Sequence, residues 1–282
     1  MLALRDSYNF LRWRLIPVRR LGGVALQLAE GRADRAPLRP ANDPEVSTKG
    51  YRTGPTMPAD LLEAIRAAYM PLAAKIVPTE RGHPFKNLFR AEDLTPDNPV
   101  MQFAFSPEVL GAADEYFGGR VTLDSIQVLW SFPTDDLRES QMWHRDYGDA
   151  KSFHCITYLN DVRTEADGPF VFVDRVATRN IKAMPIIRRI DDETFLKELG
   201  DGEVISFFGE AGESVFVDPA VCYHYGSRCK TGRLALFVTF NTDRPYVPAQ
   251  SPLRENRAKA FEAARLIRPD LDESYLRRLL NA

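Results

Sequence analysis

The chain has 282 residues, of which 44% are hydrophobic and 27% charged, with a formal net charge of −2. That is ample for a core, in one large domain or a domain with substantial additions. The near-neutral balance leaves no overall basic footprint, so nucleic acid is not an expected partner, and three cysteines without Cys-x-x-Cys spacing disfavour a zinc ribbon and fit a reducing, cytoplasmic location.

Residues 1–57 read as a basic amino-terminal segment followed by an irregular connection. Arg5, Arg12, Arg14, Arg19 and Arg20 stand against Asp6, with Phe10, Leu11, Trp13, Leu15 and Ile16 between them. No apolar run there reaches signal-peptide or membrane-span length. Contact of residues 1–20 with a membrane surface is less favoured than packing on the domain. Prolines at 37, 40, 44, 55 and 58 mark the connection. A helical support region is expected over 58–119. Leu61, Leu62, Ile65 and Tyr69 recur at helical spacing through Ala59 to Met70, after Thr56 and Pro58 as start signals. A second helix begins at Ser106-Pro107 and stops at Gly118-Gly119.

From 120 to 245 the pattern turns to short extended runs: Val121 to Phe132, Phe153 to Asn160, Pro169 to Asp174, Glu203 to Phe208, Ser214 to Asp218, Val221 to Tyr225 and Leu234 to Asn241. Short strands separated by Gly, Pro and Asp predict a mostly β, two-sheet core with flanking helices, a double-stranded β-helix or jelly roll. Residues 175–202 interrupt the strands and read as an insertion that extends from the barrel as a lid or as a solvated flap. Its first half is basic (Arg175, Arg179, Lys182, Arg188, Arg189) and its second acidic (Asp191, Asp192, Glu193, Glu198). Two helices are expected over 246–282, the first spanning Leu253 to Ile267 behind a Ser251-Pro252 cap, the second Asp272 to Leu280.

Within the β region, His144-Arg145-Asp146 places an imidazole and a carboxylate two positions apart, and His224 follows 78 positions later (224 − 146). A His-x-Asp alone arises by chance about as often as not in a chain this acidic, so context decides. Residues i and i+2 of an extended segment project to one side and can share a small ion. Two neutral imidazoles and one carboxylate form the set that holds Fe(II) on one face and leaves the opposite positions open. Arg233 opens the last strand, on the face of Ala235, Phe237 and Thr239, where its fork can pair with a carboxylate. His154, between Ser152 and Ile156, reads as a core histidine, and His83, in Arg81-Gly-His-Pro-Phe85, as a solvated loop residue. Cys222 reads as a small buried side chain.

Over residues 120–243 the chain resembles the Fe(II)/2-oxoglutarate-dependent oxygenases, most closely the phytanoyl-CoA dioxygenase-like branch. The likeness is carried by Gln141-Met-Trp-His-Arg-Asp146, Tyr158-Leu-Asn-Asp161-Val162, Gly168-Pro-Phe170, the stretch from Asp218 to Gly226, and Arg233. It implies iron held by His144, Asp146 and His224, and 2-oxoglutarate gripped at its far carboxylate by Arg233. Gln127 and Tyr158 are further candidates for cosubstrate contact. Many relatives carry a hydroxyl residue two positions after the distal histidine; here Gly226 takes that slot and Ser227 follows, so Ser227 is the candidate. The activity implied is hydroxylation of an unactivated carbon of a small molecule, using O2 and releasing succinate and CO2. Relatives that halogenate carry a small residue in place of Asp146. Desaturation and ring formation use the same residues. A cupin-like metalloenzyme without 2-oxoglutarate, or a noncatalytic jelly-roll binding protein, stays open beside this reading.

Overall fold

The computed structural model describes residues 39–40, 42–77, 83–133, 135, 137–182 and 189–282, together with 21, 22 and 25. The basic stretch 1–20, part of the connection after it, and 183–188 of the insertion lie outside the described residues.

In chain order the helices are α1 (Pro44–Lys49), α2 (Ala59–Ala73), α3 (Pro99–Ala104), α4 (Pro107–Phe117), α5 (Asp192–Leu199), α6 (Arg257–Ile267) and α7 (Glu273–Leu280). The strands are β1 (Tyr51–Thr53), β2 (Phe85–Asn87), β3 (Val121–Ser131), β4 (Ser152–Tyr158), β5 (Phe170–Phe172), β6 (Ile205–Phe207), β7 (Ser214–Val217), β8 (His224–Tyr225) and β9 (Arg233–Thr242). They form two antiparallel sheets, a six-stranded one ordered β1-β7-β4-β9-β3-β2 and a three-stranded one ordered β6-β5-β8. The architecture is the expected jelly roll with flanking helices.

Each long strand divides its side chains between two environments, because successive residues point to opposite faces. Along β9, Leu234, Leu236, Val238 and Phe240 join the core under the helices, with Val109, Ala113 and Tyr116 of α4. Arg233, Phe237, Thr239 and Asn241 face the interior between the sheets. The helical support is therefore a lid of apolar side chains on the outer face of the large sheet, which leaves the inner face for polar groups. Helix α4 is set by its ends: the Ser106 hydroxyl accepts from the Val109 N–H, Pro107 opens the first turn, and Gly118 closes the helix at φ 62°.

Several boundaries differ from expectation. Strands β1 and β2 occupy stretches expected to be irregular or helical, as edge strands of only three residues on β7 and β3, too short for an alternation to register. Residues Val221 to Tyr225 were expected to form one strand, but only His224 and Tyr225 pair. The N–H groups of Val221 and Cys222 instead donate back to the Asp218 carbonyl and make a turn. The Ser251-Pro252 cap is also corrected: residues 251–255 are turns, the Ser251 hydroxyl bonds Glu255, and α6 starts at Arg257. The described part of the insertion does not extend from the barrel. Helix α5 lays Phe195 flat on Trp143, ring centroids 3.9 Å apart, and Asp192 forms a two-pronged pair with Arg228 at 2.8 Å. Asp192 thus pairs outside the insertion while Asp191 caps α5 by accepting from Thr194, and Phe195 and Leu199 find apolar cover against the small sheet.

Candidate metal centre

The two histidines meet because the backbone makes them opposite partners. His144 and His224 exchange both N–H···O bonds, at 3.0 and 2.9 Å, which extends the small sheet beyond β8. Directly paired residues carry their side chains on one face, so both imidazoles enter the barrel with rings 4.2 Å apart. Asp146, two positions on, emerges on the same side, its N–H tied to the Pro219 carbonyl at 2.9 Å. One ligating atom from each of His144, Asp146 and His224 lies within 4.8 Å of the others.

Ring orientation follows from the second nitrogen. His144 Nδ1 sits 2.8 Å from the Met142 carbonyl and His224 Nδ1 sits 3.1 Å from that of Cys222. A carbonyl only accepts, so each Nδ1 carries the proton and each neutral ring presents the Nε2 lone pair inward. Burial holds both imidazoles below their usual pKa, His144 well below, and so keeps those lone pairs unprotonated. Burial alone would raise Asp146, but the Arg189 guanidinium and the positive charge that His224, His154 and His144 would gain on protonation beside it prevail and hold it below the usual range. Asp146 Oδ1 stands 3.7 Å from His144 Nε2 and 4.0 Å from His224 Nε2, contacts that a small cation between them would close. Two uncharged nitrogens and one anionic oxygen make a donor set for a divalent metal ion.

Beneath this triad, Asp218 holds the turn that delivers His224. Its carboxylate accepts from the Tyr116 hydroxyl at 2.6 Å and from the N–H groups of Ser152 and Ala220. Helix α4, strand β4 and the turn are thereby joined at one buried group, whose pKa burial pushes up to about 6.

The triad opens onto a cavity of about 700 Å³ between the sheets. Arg233 lines it, 1% exposed. Its Nη1 donates to the Gly168 carbonyl at 2.5 Å and its Nη2 to the Ser227 hydroxyl at 3.0 Å, while its Nε is buried without a partner. No carboxylate among the described residues pairs with it, and burial lowers its pKa. Ser227, at φ 65°, also receives the Ser131 hydroxyl at 2.9 Å, which leaves its own O–H to donate. Gly226 lies against the guanidinium: a Cβ there would come within 3.6 Å of Nη2. The missing side chain keeps that face of the fork open, and the hydroxyl one residue later supplies the polar contact.

Of the sequence candidates, His144, Asp146, His224, Arg233, Ser227 and Gln127 all line this cavity. Tyr158 stands just behind the lining, its ring 5.9 Å from the Arg233 guanidinium. Its hydroxyl donates to the Phe207 carbonyl at 2.6 Å and accepts the Phe170 N–H at 2.8 Å, so it ties the two sheets together. The reading of His154 is corrected. It pairs with Thr239 across β4 and β9, faces the cavity, and places Nε2 3.6 Å from Asp146 Oδ2. Burial lowers its pKa to about 4, so it stands as a neutral third imidazole beside the carboxylate. The signal for it was the shared parity of Ser152 and His154; which parity faces inward depends on the register with β9.

Asp124 is another lining group that local sequence did not single out. Its two oxygens accept from the amides of Asn241 and Gln250, at 3.1 and 3.0 Å. Burial pushes its carboxyl up to about 7. The native chain therefore keeps this proton where the unfolded chain, with an aspartate near pKa 4, has lost it. More protons bound in the native state means that stability falls as pH rises from about 4 to about 7 and levels above. Asp124→Asn is expected to flatten that decline, read as the difference between variant and wild-type urea-unfolding free energies across the range. A difference independent of pH would refute the assignment.

Gly168 has φ 72°, and a Cβ there would fall 2.7 Å from the Cys229 main-chain nitrogen. Gly168→Ala is expected to destabilise the fold by more than the roughly 1–2 kcal/mol of a left-handed L-residue, because the backbone contact adds to it. It should also displace the carbonyl that holds Arg233. Calorimetric melting checks the first effect; an unchanged Tm would contradict it.

No protein-family model and no curated protein matches the chain. Solved structures match in fold. EctD from S. alaskensis in its apoform aligns with a TM-score of 0.55 at 17% identity, over 75% of this chain and 80% of that one. EctD from S. alaskensis with bound Fe aligns at 0.53 and 17% identity, over 80% and 92%. The non-heme alpha ketoglutarate dependent carbocyclase SnoK from nogalamycin biosynthesis aligns at 0.51 and 17% identity, over 69% and 80%. At such identity the likeness is one of fold.

Proposed function

We propose that the chain is a non-haem Fe(II)- and 2-oxoglutarate-dependent dioxygenase that hydroxylates an unactivated carbon of a small molecule, in the manner of the phytanoyl-CoA dioxygenase-like branch and in the cytoplasm. The observation that carries this reading is Arg233: a buried guanidinium with one orphaned N–H and no described carboxylate partner, in the same cavity as a two-histidine, one-carboxylate donor set. A buried charge without a counter-ion is costly, so a ligand carboxylate is what completes it. Proteins of this fold include EctD with 2-oxoglutarate and 5-hydroxyectoine, aligned at a TM-score of 0.51 and 18% identity, which supports the same cosubstrate here.

His144 and His224 would hold the metal through Nε2, and Asp146 through a carboxylate oxygen. When bound, the metal and 2-oxoglutarate supply O2 activation, with succinate and CO2 as coproducts. The chain's own residues do the rest. Arg233 offers a fork to the far carboxylate of the cosubstrate, and the Ser227 O–H adds a donor beside it. Gln127, held by Gln250 at 3.2 Å, offers the remainder of its amide to whatever occupies the cavity. Phe170, Phe237 and Leu129 line the walls, which keeps water from a reactive centre. His154, neutral and close to Asp146, is placed to orient that carboxylate.

Anaerobic addition of Fe(II) and then 2-oxoglutarate tests the reading. The wild type should develop the visible charge-transfer band of the chelate. On admission of O2 it should form succinate, coupled to product once a substrate is supplied. A metalloenzyme of cupin type would bind the metal without the band, and a noncatalytic binder would form no succinate.

A further inference from the structure

Behind the metal ligands lies a second concavity. Alternation sends His144, Asp146 and His224 into the barrel, so Arg145 and Tyr223 point out of the opposite face of the small sheet. There they meet Arg175, Thr178 and Arg179 at the start of the insertion. Arg145, Arg175, Arg179, Thr178, Tyr223 and Val221 line a cavity of about 310 Å³. None of the three guanidinium groups pairs with a carboxylate among the described residues. Arg145 has its Nε buried and unpartnered, and its contact is the Tyr223 ring at 5.1 Å. The Arg175 guanidinium donates to the Ser47 carbonyl at 3.1 Å. Asp174 is turned away to accept the Ala177 N–H at 2.6 Å. Thr178 Oγ1 accepts the Tyr223 N–H at 3.1 Å, which leaves its O–H to donate.

Three like charges around one hollow repel each other unless an anion joins them. Their arrangement discriminates between anions. One fork satisfies a planar carboxylate, whereas several forks and a hydroxyl converging from different elements suit the oxygens of a phosphate group. The hollow is at the lower end of small-molecule sites, larger than a bare ion needs, and Tyr223 and Val221 give it an apolar wall. The geometry points to a binding site for a phosphate-type dianion, free or as the phosphomonoester of a small organic group, back to back with the metal centre and separate from it.

Isothermal titration of the full chain without metal tests this, with inorganic phosphate and with phenyl phosphate in separate runs. One saturable equivalent is expected. The Arg175→Gln/Arg179→Gln double variant should weaken it by about tenfold or more, as expected for lost charge-assisted hydrogen bonds. Arg145→Gln should do the same by a change on a different element, with the melting temperature of each variant confirming its fold. Arg233→Met, which alters only the interior cavity, should leave binding unchanged. Tighter binding of phenyl phosphate assigns the ester, and binding of inorganic phosphate alone assigns the free ion. The site is refuted if neither probe binds, or if binding survives the double variant and is lost in Arg233→Met.

Discussion

Asp146→Ala is expected to weaken Fe(II) binding by more than ~100-fold and to abolish succinate formation. Groups that only orient a ligand cost 10- to 100-fold in metal affinity when removed, and a ligand itself should exceed that range. Asp146 is the one anionic donor in the triad, so its loss leaves two neutral imidazoles to offset a divalent charge. The variant should still fold. The Asp146 side chain is 38% exposed, and the imidazoles of His144, His154 and His224 stand 3.6–4.0 Å from its carboxylate, beyond hydrogen-bond distance. The apo melting temperature should therefore stay within a few degrees of wild type, at about 4 °C or less. Fe(II) should raise the wild-type Tm and not that of the variant, since only a ligand that binds the native state shifts it. Fe(II)-dependent stabilisation of Asp146→Ala equal to wild type would remove this residue from the metal site.

Arg233→Met separates cosubstrate binding from stability. The wild-type guanidinium is buried without a counter-ion, a cost that its bonds to Gly168 and Ser227 only partly offset. Methionine keeps most of the volume and removes the charge, so the apo Tm should match or exceed that of wild type. Affinity for 2-oxoglutarate should fall by about 10- to 100-fold, the scale of one or two hydrogen bonds to a charged group. Metal affinity without 2-oxoglutarate should be unchanged. Equal 2-oxoglutarate affinity in both proteins would place the cosubstrate elsewhere in the cavity.

How much of this was legible before the fold was known can be judged residue by residue. The interior face of β9 was readable from alternation, and Arg233, Phe237 and Thr239 share it. Helix α4 was readable because Ser106, Pro107 and Gly118 act on the chain within a few residues. The short pieces β1 and β2 were not, since a three-residue strand exists only by virtue of the partner beside it. The surroundings of His154 and Tyr158 were not legible for the same kind of reason. Both lie on β4, but the bonds that decide their roles come from residues far along the chain: Asp146 beside His154, and Phe170 and Phe207 around the Tyr158 hydroxyl. The insertion's acidic half was legible as acidic, while its packing waited on Trp143 and Arg228.

Local chemistry along the chain determined which residue types stand two apart or alternate: His144 with Asp146, and Arg233 with the small and apolar residues of its face. Those relations act over a few ångströms of continuous backbone. Tertiary structure alone decided that His224 lies opposite His144, that a third imidazole and the Asp124 carboxyl enter the same hollow, and that Arg145 faces Arg175 behind it. Sheet register sets these meetings, and register is a property of two strands that neither strand carries in its own sequence.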